Sequence, residues 1–163
     1  MSGNAVQSAG TRYFIATGAN ATKKCTTEAE YKALTWTEVE EVEDFGAFGE
    51  QYEKVTYKTL GDGAVHKKKG TVDYGSATVK LARIPTGTGQ AAVKAAAKNR
   101  KTAYNHKIEF DDAPDGGTPT TIYLNAYVMD YTTEIGGNDK VIEASVGLEI
   151  DAEPVEVAAD DAP

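Results

Sequence analysis

The 163-residue chain is poor in the residues that do chemistry and in those that form crosslinks. It has one cysteine, Cys25, so no intrachain disulfide is possible. Cys25 lies in the polar stretch Thr22–Thr27. No histidine partner or enclosed cationic setting is apparent there to make a thiolate, so it reads as an incidental loop cysteine. The two histidines, His66 and His106, form no His-x-x-x-His pattern, and Cys-x-x-Cys is absent, so no zinc site is expected. No apolar run approaches the roughly 18–20 residues of a membrane span. The opening Met1-Ser2-Gly3-Asn4-Ala5 lacks a basic and then an apolar region. No signal peptide is expected, and synthesis in the cytoplasm follows. Basic charge is also scarce. A net charge of −8 and a pI near 4.8 argue against a protein that grips nucleic acid through its phosphates.

Catalytic signatures are missing too. Pro85-Thr86-Gly87-Thr88-Gly89-Gln90 precedes a helical stretch but lacks the Gly-Lys-Ser/Thr ending of a phosphate loop. Asp111-Asp112 with Asp115-Gly116 lacks the spacing and closing Glu of an EF-hand and reads as a solvated turn. No Gly-x-Ser-x-Gly elbow occurs. The expectation is no catalytic residue, no metal, no cofactor and no enzyme.

What the chain does have is alternation. Thr11–Thr17 is apolar and aromatic enough for a first strand. Apolar residues recur at every second position in Ser76–Ile84, Tyr104–Phe110, Thr121–Tyr131 and Lys140–Ile150, the pattern of strands with one buried face. In the last of these, Ile142, Ala144, Val146, Leu148 and Ile150 oppose Glu143, Ser145, Gly147 and Glu149. Turn-forming residues at 111–117 and 135–139 separate the last three strands, which predicts an antiparallel meander. Gly89–Arg100, rich in Ala, Lys and Gln, predicts a helix with Thr88 as its cap. Glu28–Asp44 admits a helical reading, but Trp36, Thr37, Val39 and Val42 favour one bulged strand over Thr35–Glu43. His106 shares the phase of Tyr104 and Ile108 and reads as a core-edge or sheet-face residue.

Three regions lack a period. Residues 1–10 read as a flexible arm, and residues 152–163 as an acidic, Ala- and Pro-rich tail. Between them, residues 11–151 form one β domain with a long loop at 44–70. That loop holds five glycines and the basic run His66-Lys67-Lys68-Lys69. His66 reads as solvated. The lysines read as a strand edge that discourages pairing, or as a contact with an acidic patch such as 38–44 on another subunit.

The order of these features is similar to that of the tail tube proteins of long-tailed bacteriophages of the siphophage type, and more distantly to inner-tube proteins of type VI secretion. The features are a strand ending at Val42-Glu43-Asp44, a long loop, strands up to Leu81-Ala82-Arg83, the helix start Thr88-Gly89-Gln90, then Tyr104–Phe110, Ile122–Val128 and Asp139–Ala144. The resemblance spans about Thr11 to Pro154. It implies an antiparallel β-sandwich or barrel-like domain with one flanking helix at about 88–100. It also implies homohexameric rings stacked into a tube, the conduit for DNA ejection. The implied partners are the chain itself, a tape measure protein, a tail terminator and baseplate or tail-tip proteins. Phage DNA would pass through without specific binding, no membrane would be involved, and the site of action would be the virion tail. On the same resemblance, Phe45, Phe48, Tyr52, Tyr57, His66, Lys67, Lys68 and Lys69 would touch other subunits, and Glu143, Ser145 and Glu149 would face the lumen. Two other readings remain open: a tube protein of a contractile or secretion apparatus, and a small ligand-binding β-sandwich.

Overall fold

The structure is a computed structural model that describes residues 4–161. The ends of the arm and tail, 1–3 and 162–163, lie outside the described residues. Ten strands and two helices follow in order: β1 (Arg12–Thr17), α1 (Glu28–Lys32), β2 (Thr35–Glu38), β3 (Val42–Asp44), β4 (Gln51–Lys58), β5 (Val65–Asp73), β6 (Ser76–Ala82), α2 (Thr88–Lys98), β7 (Tyr104–Glu109), β8 (Thr121–Glu134), β9 (Glu143–Ile150) and β10 (Val155–Val157). One sheet has the order β2-β1-β7-β8-β9-β6-β3, with β10 added beside β8. Among the described residues its strand pairings are all antiparallel. The meander β7-β8-β9 stands as expected.

The sheet curls around one apolar core. Ile15, Leu124, Val128, Val146, Leu148, Val79 and Leu81 point inward from successive strands, and Val93 and Ala96 of α2 pack against them. Ala, Val and Gln suit α2 to this place, since short side chains let the helix approach the sheet closely. On the far side of β1, β7 and β8 a second cluster holds Ala16, Ala21, Cys25, Tyr31, Leu34 and Tyr123. Those three strands are therefore covered on both faces. Asn105, fully buried, donates to the Lys23 (2.7 Å) and Ala21 (3.1 Å) carbonyls and accepts from Asn125. These bonds tie the 18–27 segment down.

Four expectations need correction and one is sharpened: Cys25 lies in a loop segment as expected, and it is buried there. Burial, chiefly, raises its thiol pKa, which keeps it inert. The single strand expected over Thr35–Glu43 is two strands at opposite ends of the sheet order, preceded by the short helix α1. Glu41, at φ 55°, turns the chain between them. The segment expected as a long loop contains the β4–β5 hairpin. Part of the expected tail is β10, whose Val155 and Val157 pack on the second cluster. Finally, Thr88 does not cap α2. The cap position is Gly87, which offers no side chain.

That missing cap is supplied from the crossover between β2 and β3. Glu40 accepts hydrogen bonds from the Gly89 and Gln90 amides, each at 3.1 Å. Burial works against the charged carboxylate, but Glu40's own amide, followed by the Gly89 and Gln90 amides and the Thr88 hydroxyl, holds its pKa below the usual range. A negative charge at a helix N-terminus also gains from the dipole. Gln90, almost fully buried, donates to the Glu40 and Ala82 carbonyls and accepts from the Ile84 amide (2.8 Å). A Cβ at Gly89 would collide with the Glu38 carbonyl, so only glycine allows this approach. The Val39 amide bonds the Tyr13 carbonyl (2.8 Å), and the Ala82 amide bonds the Glu41 carbonyl (2.9 Å). Residues 39–41 thus strap together the two ends of the curled sheet.

Candidate subunit interface

The β4–β5 hairpin is the feature that a free monomer explains least. Among the described residues its strands pair only with each other. Every residue of β4 is exposed, and in β5 only His66 and Gly70 are partly covered. Two-stranded hairpins are marginal alone in water. This one also exposes Tyr52, Val55, Tyr57, Val65 and Val72, with Leu60 fully open at its tip. Exposed apolar groups gathered on one protruding element mark a surface for association.

The hairpin is rooted firmly. Phe45 packs edge-on against Tyr13 (5.2 Å between centroids) and against Phe48 (5.5 Å). Both rings are partly buried on the main core. At the root, Gly75 (φ 93°) comes so close to Gly49 that a Cβ would collide with the Gly49 carbonyl oxygen. At the tip, Asp62 accepts from the Ala64 amide (2.9 Å) and the Thr59 hydroxyl, and meets the His66 ring at 2.7 Å. The Thr59 and Ala64 bonds, with smaller help from His66, lower the Asp62 pKa. Tyr57 stacks on His66 at 5.1 Å.

Of the expected contact residues, Tyr52, Tyr57, His66, Lys67, Lys68 and Lys69 lie together on the hairpin. Phe45 and Phe48 lie apart from them, engaged with the chain's own core. The lysine run does not act as a unit. In the strand register, Lys67 opposes Thr56 and Lys69 opposes Lys54, whereas Lys68 opposes Val55 on the other face. Lys54 and Lys58 belong to the Lys67 and Lys69 face, and sequence reading missed them. The signal was present in the alternation Tyr52-x-Lys54-x-Thr56-x-Lys58 and the Gly61-Asp62-Gly63 turn. The acidic patch suggested for the lysines is partly engaged elsewhere: Glu38 pairs with Arg12 (2.6 Å) and Glu40 caps α2.

The second expected surface is the outer face of β6, β8 and β9. Register places Ser76, Glu149 and Tyr127 in one row, Lys80, Ser145 and Thr132 in another, and Ala82, Glu143 and Glu134 in a third. These residues are exposed or half-buried, while Ala144, Val146 and Leu148 between them are buried. With Asp130, this face carries four carboxylates and one lysine. The α2 helix lies on the opposite, core side.

His106 is fully buried, deeper than a sheet-face position. Its Nδ1 accepts from the Tyr13 hydroxyl (2.7 Å), and its Nε2 faces the Ala126 carbonyl (3.3 Å). Burial pushes its pKa down to about 4, so the neutral ring donates to Ala126. Among the described residues, no group of three or more His, Cys, Asp or Glu side chains is placed to hold a metal ion. Among the described residues no helix is long and apolar enough to cross a membrane.

No protein-family model and no curated protein sequence matches the chain. Solved structures do. A chain from the six-fold symmetrised baseplate of the anti-feeding prophage matches with TM-score 0.69 at 12% identity, covering 97% of this chain and 98% of that one. A chain from the sheath/tube terminator structure of the PVC extracellular contractile injection system matches with TM-score 0.69 at 11% identity, over 96% and 99%. The SPP1 tail tube matches with TM-score 0.67 at 13% identity, over 94% and 80%. At these identities the likeness speaks for architecture: the chain has a fold shared by a phage tail tube protein and by proteins of contractile injection systems.

Proposed function

We propose that this chain is a structural virion subunit that self-assembles into stacked hexameric rings, forming a phage tail tube through which DNA is ejected. The observation that carries this reading is the β4–β5 hairpin, an exposed arm with apolar side chains on a domain of tail-tube fold. An arm of this kind becomes stable when another copy covers it. The hairpin residues Tyr52, Tyr57 and His66–Lys69 make contacts between subunits, with Phe45 and Phe48 as their anchor. Glu143, Ser145 and Glu149 line the lumen, where carboxylates repel DNA phosphates and let the genome slide. The chain catalyses nothing. Its further partners are a tape measure protein, a terminator and baseplate or tail-tip proteins.

Electron microscopy of the concentrated, purified chain is expected to show rings or tubes of uniform diameter. A chain that stays monomeric in every condition, including with tail-tip proteins added, would sink the proposal. A second reading, the inner tube of a contractile injection apparatus, is favoured by the near-complete coverage of two chains from such systems. Co-purification of a sheath protein from the native particle separates the two.

A further inference from the structure

One face of the hairpin is built against its own stability. Register puts Tyr52, Lys54, Thr56 and Lys58 of β4 on the same face as Val72, Lys69, Lys67 and Val65 of β5. Within the two strands that face holds four lysines and no carboxylate; Glu50, just before β4, accepts from the Tyr52 hydroxyl at its root (3.1 Å). Lys54 sits directly opposite Lys69, and like charges directly across a strand pair destabilise it. Lys69 leans over the Tyr52 ring at 4.6 Å, which leaves its charge without an acidic partner on the arm. In a chain of net charge −8, such a face calls for carboxylates from outside.

The body carries a matching socket at the far end of the strand that follows the arm. The hairpin root joins β6 at Ser76, whereas the other end of β6, Ala82, pairs with Glu143, itself paired with Glu134. At that rim a recess of about 240 Å³ is lined by Glu43, Glu134, Gly136, Lys140, Val141 and Glu143. Beside it Ile135, Val141 and Ile142 are exposed. The recess has three carboxylates to one lysine, with apolar groups adjacent. The arm face has four lysines, with Tyr52, Val65 and Val72 among them. Glu143 stands at the corner where the polar β6-β8-β9 face meets this rim.

We infer that the lysine face of the hairpin docks on the Glu43/Glu134 rim of a second copy of this chain, joining copies head to tail. The inference rests on the tube reading and adds the direction and chemistry of the contact. Arm and socket sit at opposite ends of β6, so the contact is heterologous: each copy offers an arm at one end and a socket at the other. A heterologous contact closes into a ring when the rotation between copies closes and repeats along an axis when it does not; in both cases the arm of one copy meets the rim of the next.

The test is a charge swap read by electron microscopy and sedimentation. The variant Lys54→Glu/Lys58→Glu/Lys67→Glu/Lys69→Glu is expected to lose tubes while its circular dichroism stays native, since all four residues are exposed. The variant Glu43→Lys/Glu134→Lys should lose them as well. Combining both sets is expected to restore tubes. Tubes that survive the lysine reversal, or a combined variant that stays as defective as its parents, would overturn the inference and leave the tube reading intact. If the unaltered chain forms no tubes with its tail-tip proteins, the tube reading falls and this inference falls with it.

Discussion

His106 shows how one buried side chain sets the response of the fold to acid. Its ring bridges the Tyr13 hydroxyl and the Ala126 carbonyl and is neutral in the folded chain. The folded pKa, about 4, is below the unfolded value of 6.5, so the unfolded chain takes up the proton first. The stabilisation is complete above pH ~6.5, falls as pH drops toward ~4, and changes no further below that. Its full size is about 3 kcal/mol from the linkage between pKa and stability. Urea unfolding at pH 7 and pH 5 is expected to show about 2 kcal/mol of this loss, and His106→Gln is expected to remove most of the pH 5–7 slope. An unchanged slope in that variant would assign the acid response to other groups. Glu40 works at the same scale. One carboxylate satisfies two amides of α2 while its own backbone crosses between sheet edges, a role normally worth about 1 kcal/mol.

At the scale of elements, the hairpin stands outside the cooperative unit. Replacing residues 51–73 by a two-glycine link between Glu50 and Tyr74 is expected to shift the melting temperature by only a few degrees, because no core side chain is removed. The same variant is expected to form no tubes. Normal tubes from it would remove the hairpin from assembly. This independence also explains what could be read from the sequence. Residues 143–150 alternate legibly because one face of β9 is buried and the other wet. Neither face of β4 is buried in the single chain, so no hydrophobic period marks it and 44–70 reads as loop. Trp36, Thr37, Val39 and Val42 give 35–44 its strand propensity, and propensity does not reveal that its halves belong to opposite ends of one sheet. Val155–Val157 is too short for any period, and its partner, β8, lies more than thirty residues back. The Lys67–Lys69 run was visible as charge, but its division between two faces depends on register with β4.

For the whole molecule, the distribution of charge matters more than its sum. The net −8 is concentrated away from one lysine face of the arm, and four carboxylates share the outer face of β6, β8 and β9. If that face lines the conduit, a density map of the assembled tube will show Glu149 and Ser145 on the inner wall with α2 outside them. Glu149→Lys/Asp130→Lys is then expected to form tubes that retain added DNA more strongly, a retention that disappears at high salt. Those side chains on the outer wall would end the lumen assignment without touching the fold. Broad architecture was legible here too. An antiparallel, mainly β domain with one long helix followed from alternation, whereas closure of the sheet by three residues did not, because it depends on contacts between remote segments.

The near-contact of Gly49 and Gly75 makes the arm a cassette. Its two ends leave the body side by side, so the domain does not sense what is strung between them. Doubling the inserted length costs only about 0.6 kcal/mol of closure entropy. Selection can therefore lengthen, shorten or recharge the arm without rebuilding the body, and partner choice can drift while architecture stays put. An engineer has the same freedom: a peptide or a small folded domain spliced between these glycines would be displayed at a regular spacing by every copy in an assembly.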